Sequence, residues 1–361
     1  MIIRSTVKLI LCNRESLPGF LFLFSTLLLI MKNFYGWKIR VKKLPEKNYT
    51  GIWCNNKTWR LKNQPEKPIL ELPPFMSEFY DVGLGTFCSL ECPFCYTAAG
   101  KNGKHWLNPV GAWESYINSL EPDKEGRLDY KEITGTTEED SILRSLLAMY
   151  PRVIETQKPF QIAIGSTCEP TEHPDFCKFL KSVYESRVVP NYTTNGLKLS
   201  DEILEATRNF VGGVAVSLSN RGAEDRARKS ISLLLEKGEC KVNIHHIISG
   251  KESVDKFIQV WSEYGNDINY HVLLPLMNEG RSVRKMDDSA FYYLEEKIEA
   301  LGIKNVAFGA NFLKQLRTSK LKIWEYPQET YSKNMLLKND RIEITPSSFD
   351  LTPIESLCRK F

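Results

Sequence analysis

The sequence predicts an α/β fold in which parallel strands alternate with helices and form a partial or full (β/α) barrel. Three observations predict it. From about residue 160 onward, short apolar segments alternate with amphipathic helical patterns. Glycine and polar residues stand directly after several of these segments, where ligands bind in such folds. The 361 residues, 42% hydrophobic and 25% charged, suffice for one barrel with extensions or for two ordinary domains.

Seven short segments have the composition and length of buried strands. In chain order they are residues 79–84, 161–165, 188–193, 213–219, 242–248, 269–274 and 305–308. Parallel strands need crossover connections, and these connections have one hand, so successive units curl in one direction. Six or seven βα units are therefore expected, with ligands bound at the carboxyl ends of the strands.

Amphipathic helices are expected between these strands, the first over residues 174–185. Ser200 is expected to cap the next helix, because its hydroxyl can accept from a free backbone N–H of the first turn. A further helix is expected to end at Gly238, in the left-handed backbone conformation that glycine adopts readily. Two later helices are expected to end at Gly265 and Gly302.

The connection after the first strand, residues 100–150, is longer than a simple crossover. Helices are expected within and just after it, at 110–119 and 138–156, and excursions of this length usually shape or cover a site. The chain is divided into an apolar N-terminal segment, an N-terminal extension, a barrel core and a C-terminal extension, at residues 1–30, 31–77, 78–310 and 311–361. The two extensions have no clear period, and no chemistry is assigned to them.

An apolar stretch at residues 19–31 is shorter than the ~20 residues that a membrane-spanning helix needs. It has three interpretations: a weak membrane anchor, a targeting segment, or sequence upstream of a true start at Met31. We favour the last, because globular sequence begins just after Met31 and nothing later indicates a membrane.

The chain has nine cysteines, and three of them stand close together. The odd number and this clustering argue against a disulfide framework. A reducing compartment is therefore expected, which indicates the cytoplasm. The formal charge of +4 is spread along the chain, so no nucleic-acid partner is indicated. A membrane partner is not favoured either.

The motif that carries chemistry is C-x3-C-x2-C, formed by Cys88, Cys92 and Cys95. Its three thiolates come from one short loop, and soft thiolates select iron-sulfur clusters, zinc or Cu(I). Three ligands to a four-iron cluster leave one iron open, and an open iron can bind a substrate or a cofactor.

This motif resembles the signature of the radical S-adenosylmethionine (SAM) superfamily, with Phe94 as the aromatic residue before the last cysteine. The resemblance implies a fold of the radical SAM type and two cofactors, a [4Fe-4S] cluster and SAM. It implies reductive cleavage of SAM to a 5'-deoxyadenosyl radical that abstracts hydrogen from a substrate. It also implies a reductant such as flavodoxin or ferredoxin. The substrate and the catalytic residues are not identified.

A second region resembles the same superfamily. Its Gly-Gly-Glu-Pro segment, which lies against the SAM amino group, corresponds here to residues 167–170, with Thr167 and Cys168 in place of the two glycines. The resemblance implies seven cofactor-binding positions: Phe94, Gly165, Cys168, Glu169, Thr194, Asn195 and Ser217. For the Cys168 side chain, core packing is favoured over a substrate-facing or methyl-accepting thiol.

Two alternatives keep the cysteine loop without radical chemistry: a structural zinc site and a non-catalytic iron-sulfur scaffold. A zinc site needs a fourth ligand, for which His105 is the nearby candidate. No second cysteine cluster stands near the C-terminus, where only Cys358 occurs, so a peptide-maturing subgroup with auxiliary clusters is disfavoured.

Weaker candidates follow other strands. Of His245 and His246, one can point into the barrel, although a hydrogen-bonded core histidine is favoured. Arg221 and Arg281 can bind a carboxylate, although solvated side chains are the commoner case.

Overall fold

The computed structural model describes residues 39–54, 57–64, 66–133, 138–218, 223–316, 318–321, 331–339, 341–345 and 355–358. The predictions for residues 1–30 and for Arg221 fall outside these residues. No helix in the described part of the chain is long and apolar enough to cross a membrane.

A ten-stranded sheet forms the centre of the molecule. Seven parallel strands follow one another in chain order: β4 Phe79–Gly83, β7 Gln161–Ile164, β8 Val189–Thr194, β9 Gly213–Ser217, β10 Lys241–Ile248, β11 Tyr270–Pro275 and β12 Val306–Phe308. Within the described residues β12 pairs with β11 alone, so the sheet is open. The predicted α/β fold of parallel strands is confirmed in its open form.

Three strands extend the other edge of this sheet. Strand β13, Ser332–Lys338, runs parallel to β4, and two antiparallel strands follow it, β14 Arg341–Thr345 and β15 Glu355–Cys358. The C-terminal extension therefore adds to the central sheet, although its sequence shows no clear period.

Helices follow most of the strands. They are α1 Pro109–Ser119, α2 Glu138–Met149, α3 Phe176–Glu185, α4 Asp201–Phe210, α5 Glu224–Lys237, α6 Lys251–Tyr264, α7 Asp288–Leu301 and the short α8 Leu313–Leu316. Their apolar stripes pack on one face of the sheet, where alternate strand residues such as Tyr80, Val82, Ile162 and Val214 join the main core. Burial of this apolar surface is the main stabilising contribution. The remaining strand residues face the other side, here called the helix-free face.

A second sheet packs at the amino-terminal ends of the central strands. Its strands are β1 Ile39–Leu44, β2 Tyr49–Cys54, β3 Lys57–Leu61, β5 Lys124–Arg127 and β6 Arg152–Glu155, in the order β3-β2-β1-β6-β5. The buried Lys42 ammonium donates to Gln157 O at 2.6 Å, and Arg40 Nη2 donates to Pro159 O at 3.2 Å. Burial lowers the pKa of Lys42 to about 7. Because these buried residues are basic, β1 lacks the alternation of apolar and polar residues that indicates a strand in the sequence.

Two local predictions are wrong. The helix expected over 138–156 ends at Met149, and residues 152–155 form β6, because Pro151 disfavours helical geometry before it and lacks an N–H. Gly238 ends α5 with φ −72°, so it is not left-handed; the left-handed residue is Glu239, at φ 45°. Ser200 caps α4 as predicted, its hydroxyl accepting from Ile203 N, and Gly302 ends α7 at φ 61°. The boundaries between extensions and core stay a prediction.

Candidate functional site

The cysteine loop, residues 85–105, begins two residues after the end of β4 and folds back on itself. Thr86 N donates to Lys104 O at 2.8 Å, and Cys88 N donates to Gly100 O at 3.1 Å. A tight turn joins Cys95 N to Cys92 O at 3.2 Å. These backbone bonds bring all three cysteines to the carboxyl end of the first parallel strand, where the fold predicts a ligand site.

The three cysteines are half-buried and form no disulfide. Asn195 Nδ2 lies 3.8 Å from Cys88 Sγ, and Thr97 Oγ1 lies 3.5 Å from Cys95 Sγ. Burial raises the pKa of Cys88 to about 12, partly offset by a hydrogen bond from the backbone at Leu90, and a metal bound to this sulfur would favour the thiolate.

The donor set suits a cluster better than a single ion. In the described chain, no three His, Cys, Asp or Glu side chains converge so that they could hold one metal ion. A [4Fe-4S] cluster makes a different demand, because each of three cysteines binds its own iron. Soft sulfur donors from one partly exposed loop therefore fit the cluster that the motif implies.

Residues 165–173, here called the clamp segment, hold the cysteine loop in place. Thr167 Oγ1 donates to Gly85 O at 2.7 Å, and Glu169 N donates to Phe87 O at 2.9 Å. Glu172 Oε2 accepts from Ser89 N at 2.8 Å. His173 Nε2 lies 2.9 Å from Trp106 O. The clamp segment thus forms hydrogen bonds with three residues of the cysteine loop and with Trp106, the residue that follows it.

The presence of Thr167 and Cys168 where the resembled motif has two glycines has a local explanation. Neither Thr167 nor Cys168 has a positive φ, so glycine is not required at either position. The Thr167 hydroxyl occupies the space that a side chain at Gly83 would need, since a Cβ there would lie 2.3 Å from Thr167 Oγ1. Gly165 does require glycine: its φ is +123°, and a Cβ would lie 2.8 Å from Thr193 O.

Glu169 joins the clamp segment to the end of β8. Its buried carboxylate accepts from Thr194 Oγ1 and from Asn195 N, each at 2.7 Å, and from Thr171 Oγ1 at 2.7 Å. Burial raises the pKa of Glu169 to about 6, although these hydrogen bonds favour the ionised form. The structure thus gives Glu169 and Thr194 a positioning role, and their predicted contacts with SAM stay predictions.

The other predicted cofactor positions are Cys168, Phe94 and Ser217. Cys168 is 8% exposed and packs in the main core, and burial raises its pKa to about 12, in line with the packing interpretation of its side chain. Phe94 is half-buried on the cysteine loop. Ser217 ends β9 on the helix-free face, beside His245 of β10. These positions lie at one end of the sheet, and their contacts with SAM stay a prediction.

The two histidines of β10 point to opposite faces. His246 lies on the helix-covered face, with Nε2 3.1 Å from His271 Nδ1, so the expected hydrogen-bonded core histidine is present. His245 lies on the helix-free face, and burial lowers its pKa to about 4, which keeps it neutral. His105, the nearby candidate for a fourth ligand under the zinc alternative, has its ring centre 5.0 Å from that of His173 and 4.7 Å from that of Phe87.

Arg281 has a role that neither sequence interpretation anticipated. Its guanidinium donates to the carbonyls of Cys92, Ala98 and Ala99 at 3.0, 2.9 and 2.6 Å. The backbone N–H of Arg281 donates to Cys95 O at 3.0 Å. It is therefore neither simply solvated nor directed at a free carboxylate. Sequence reasoning missed it because backbone carbonyls leave no pattern in the sequence. Its position 186 residues after Cys95 carries no signal either.

Arg281→Lys is expected to loosen the cysteine loop without unfolding the protein. A lysine ammonium cannot reproduce the planar fork that reaches three carbonyls, so about 1–3 kcal/mol of loop stabilisation is lost. Reconstituted protein should release iron to a chelator roughly tenfold faster, the equivalent of about 1.4 kcal/mol. The exposed Arg284→Lys is the matched control and should behave as the parent. Equal release rates for all three proteins would contradict the assignment.

The overall fold is similar to that of solved structures of SuiB from Streptococcus suis. One, bound to S-adenosylmethionine, has 16% sequence identity and a TM-score of 0.50, and the match covers 75% of this chain and 60% of SuiB. Another, bound to the precursor peptide SuiA, has 17% identity and a TM-score of 0.50, covering 75% and 59%. A structure of anSMEcpe with bound AdoMet and Cp18Cys peptide has 10% identity and a TM-score of 0.49, covering 76% and 75%.

This likeness concerns the fold alone, and it agrees with the predicted α/β fold of parallel strands. The chain spans about 60% of the length of SuiB. No protein-family model matches the chain, and no curated protein matches it in sequence.

Proposed function

We propose that this chain is a radical SAM enzyme whose [4Fe-4S] cluster is bound by Cys88, Cys92 and Cys95. The observation that carries the proposal is the position of the C-x3-C-x2-C loop at the carboxyl end of the first parallel strand, fixed there by the clamp segment. The similarity of the fold to SuiB with bound S-adenosylmethionine supports it. Fold alone does not determine function, so the cysteine loop is the stronger support.

When bound by Cys88, Cys92 and Cys95, a reduced cluster would supply the electron that splits a C–S bond of SAM into methionine and a 5'-deoxyadenosyl radical, which would abstract hydrogen from the substrate. The chain's own residues position the reactants. The clamp segment and Arg281 fix the cysteine loop from two sides. Asn195 is held by Glu169 and donates toward Cys88 Sγ, an arrangement that stabilises thiolate over thiol. Gly165, Asn195 and Ser217, at the carboxyl ends of strands β7, β8 and β9, are the residues proposed to contact SAM.

Two partners belong to the proposal. A reductant such as flavodoxin or ferredoxin would supply the electron, and the half-buried cysteines leave the loop accessible to it. The second partner is the substrate, whose chemical class the sequence does not identify. Because SuiB has been crystallised with a precursor peptide, a peptide is one class to be tried, even though the sequence has only Cys358 near its C-terminus and so disfavours the peptide-maturing subgroup with auxiliary clusters.

The test is production of 5'-deoxyadenosine from SAM by the full chain, reconstituted without oxygen and reduced with dithionite. Iron and sulfide are quantified on the same sample. About four irons per chain with SAM cleavage would support the proposal. Bound zinc in place of iron would overturn it, and a full cluster that never cleaves SAM with any reductant would favour the non-catalytic scaffold.

A further inference from the structure

The helix-free face near β4 carries polar side chains that the proposed function does not use. Tyr80 and Val82 point into the core, so Asp81 between them points to the opposite face. Asn334 of β13 is its register partner on the neighbouring parallel strand. Adjacent strands lie about 4.8 Å apart, so the Asp81 carboxyl and the Asn334 amide are close neighbours on one face.

None of these groups has a hydrogen-bond partner within the described ranges. Asn334 is 4% exposed, and its Oδ1 is buried without a partner. Ser166 Oγ is also buried without a hydrogen-bond partner, and it lies 3.4 Å from the position that a Cβ on Gly83 would take. Gly83 is two residues beyond Asp81 on β4, so Ser166 lies above the Asp81–Asn334 pair, towards the cysteine loop.

Such an arrangement is unfavourable in the absence of a ligand. A buried polar atom without a partner costs about 1–3 kcal/mol, and native proteins contain few of them. Asp81 itself is half-buried, and desolvation raises its pKa to about 7 with no cation of the described chain to offset this effect. Unpaired acceptors grouped in this way are typical of sites whose partner is a ligand.

The chemistry of the groups defines the ligand. Asp81 contributes a carboxyl, Asn334 a free amide oxygen and Ser166 a hydroxyl oxygen, so acceptors dominate. The complement is a group with several N–H donors, and a positive charge would offset the charge of the carboxylate. His245, on the same face of β10, is kept neutral by burial and so does not compete as a cation.

We infer that Asp81, Asn334 and Ser166 bind a cationic nitrogen group of the substrate, a primary ammonium or a guanidinium. The inference rests on the proposed function, because it gives the substrate class of the same site. At about 3.3 Å per residue, Asp81 lies roughly 13 Å below Gly85, where the cysteine loop begins. A substrate anchored at Asp81 would extend from this group towards the cluster loop, so the reacting carbon would be several bonds away from the nitrogen.

The test uses the cluster-loaded full chain and four probes: n-butylammonium, guanidinium, neutral butyramide and tetramethylammonium, which lacks N–H donors. Binding is measured by ligand-observed NMR and by the thermal midpoint. n-Butylammonium or guanidinium should bind the parent, and Asp81→Asn should weaken that binding at least tenfold. Butyramide and tetramethylammonium should bind no better to the parent than to Asp81→Asn. Asp201→Asn, at an exposed carboxylate on α4, is the control and should bind as the parent does.

Stability gives an independent measurement. Asp81→Asn removes a carboxyl that is costly to bury, so its thermal midpoint should equal or exceed that of the parent. A lower midpoint would assign Asp81 to structure and overturn the inference. So would equal affinity for n-butylammonium and butyramide, or no binding of either cation. Iron content and SAM cleavage are recorded on the same samples, so a protein with an active cluster and no cation binding fails this inference alone.

Discussion

Replacement of Cys88, Cys92 or Cys95 by alanine, one at a time, is expected to reduce SAM cleavage to the background of protein without a cluster. In the proposed cluster each cysteine would bind its own iron, and no other cysteine, histidine or carboxylate in the described chain completes a three-ligand group with them. Cluster content should fall with activity, because an incompletely bound cluster is lost from a half-exposed loop. Iron, sulfide and 5'-deoxyadenosine are measured on anaerobically reconstituted protein.

Two cysteines outside the loop provide the controls. Cys177→Ala removes a half-buried thiol on α3, and Cys168→Ala removes a core thiol beside the site. Both variants should keep the cluster and cleave SAM, with stability losses of about 1 kcal/mol from lost packing. Loss of the cluster in Cys168→Ala would assign that thiol to the cluster and contradict the packing interpretation. Full activity of any loop variant would contradict the proposed ligands.

The elements of the core could be predicted because their signal is local. Strands β7 to β12 are short apolar segments bounded by polar residues, and the helices between them have a clear apolar stripe. The cysteine loop is equally local, since its three thiols stand within eight residues. Segments with strong periodicity and compact motifs are thus recovered from the sequence alone.

What could not be predicted depends on contacts between distant residues. The sequence does not indicate strand β1, because its buried Arg40 and Lys42 donate to carbonyls far along the chain. Arg281 acts on carbonyls of the cysteine loop, and Asn334 meets Asp81 only through the pairing of β13 with β4. Helix α2 was predicted too long, since periodicity continued past Pro151 into β6. These features follow from tertiary pairing, which periodicity does not encode.

Glu169→Gln is expected to destabilise the site more than any other single change in the clamp segment. The carboxylate accepts from Thr194 Oγ1, Asn195 N and both donors of Thr171. A glutamine amide replaces one acceptor oxygen with a donor, so at least one of these buried donors loses its partner. Hydrogen bonds to a charged group contribute about 1.5–3 kcal/mol each, and the free energy of unfolding should fall by about 2–4 kcal/mol. Urea denaturation measures this loss.

The same substitution should impair the site in protein that remains folded. Asn195 would no longer be held by Glu169, and its amide is the group that donates toward Cys88 Sγ. SAM affinity and cluster retention are therefore expected to fall together, under conditions where circular dichroism still reports the native helices. Glu185→Gln, at an exposed ion pair on α3, should change stability by less than about 0.5 kcal/mol and leave both unchanged. If Glu169→Gln kept parental SAM affinity and cluster retention despite the lost stability, Glu169 would support the fold without positioning the site.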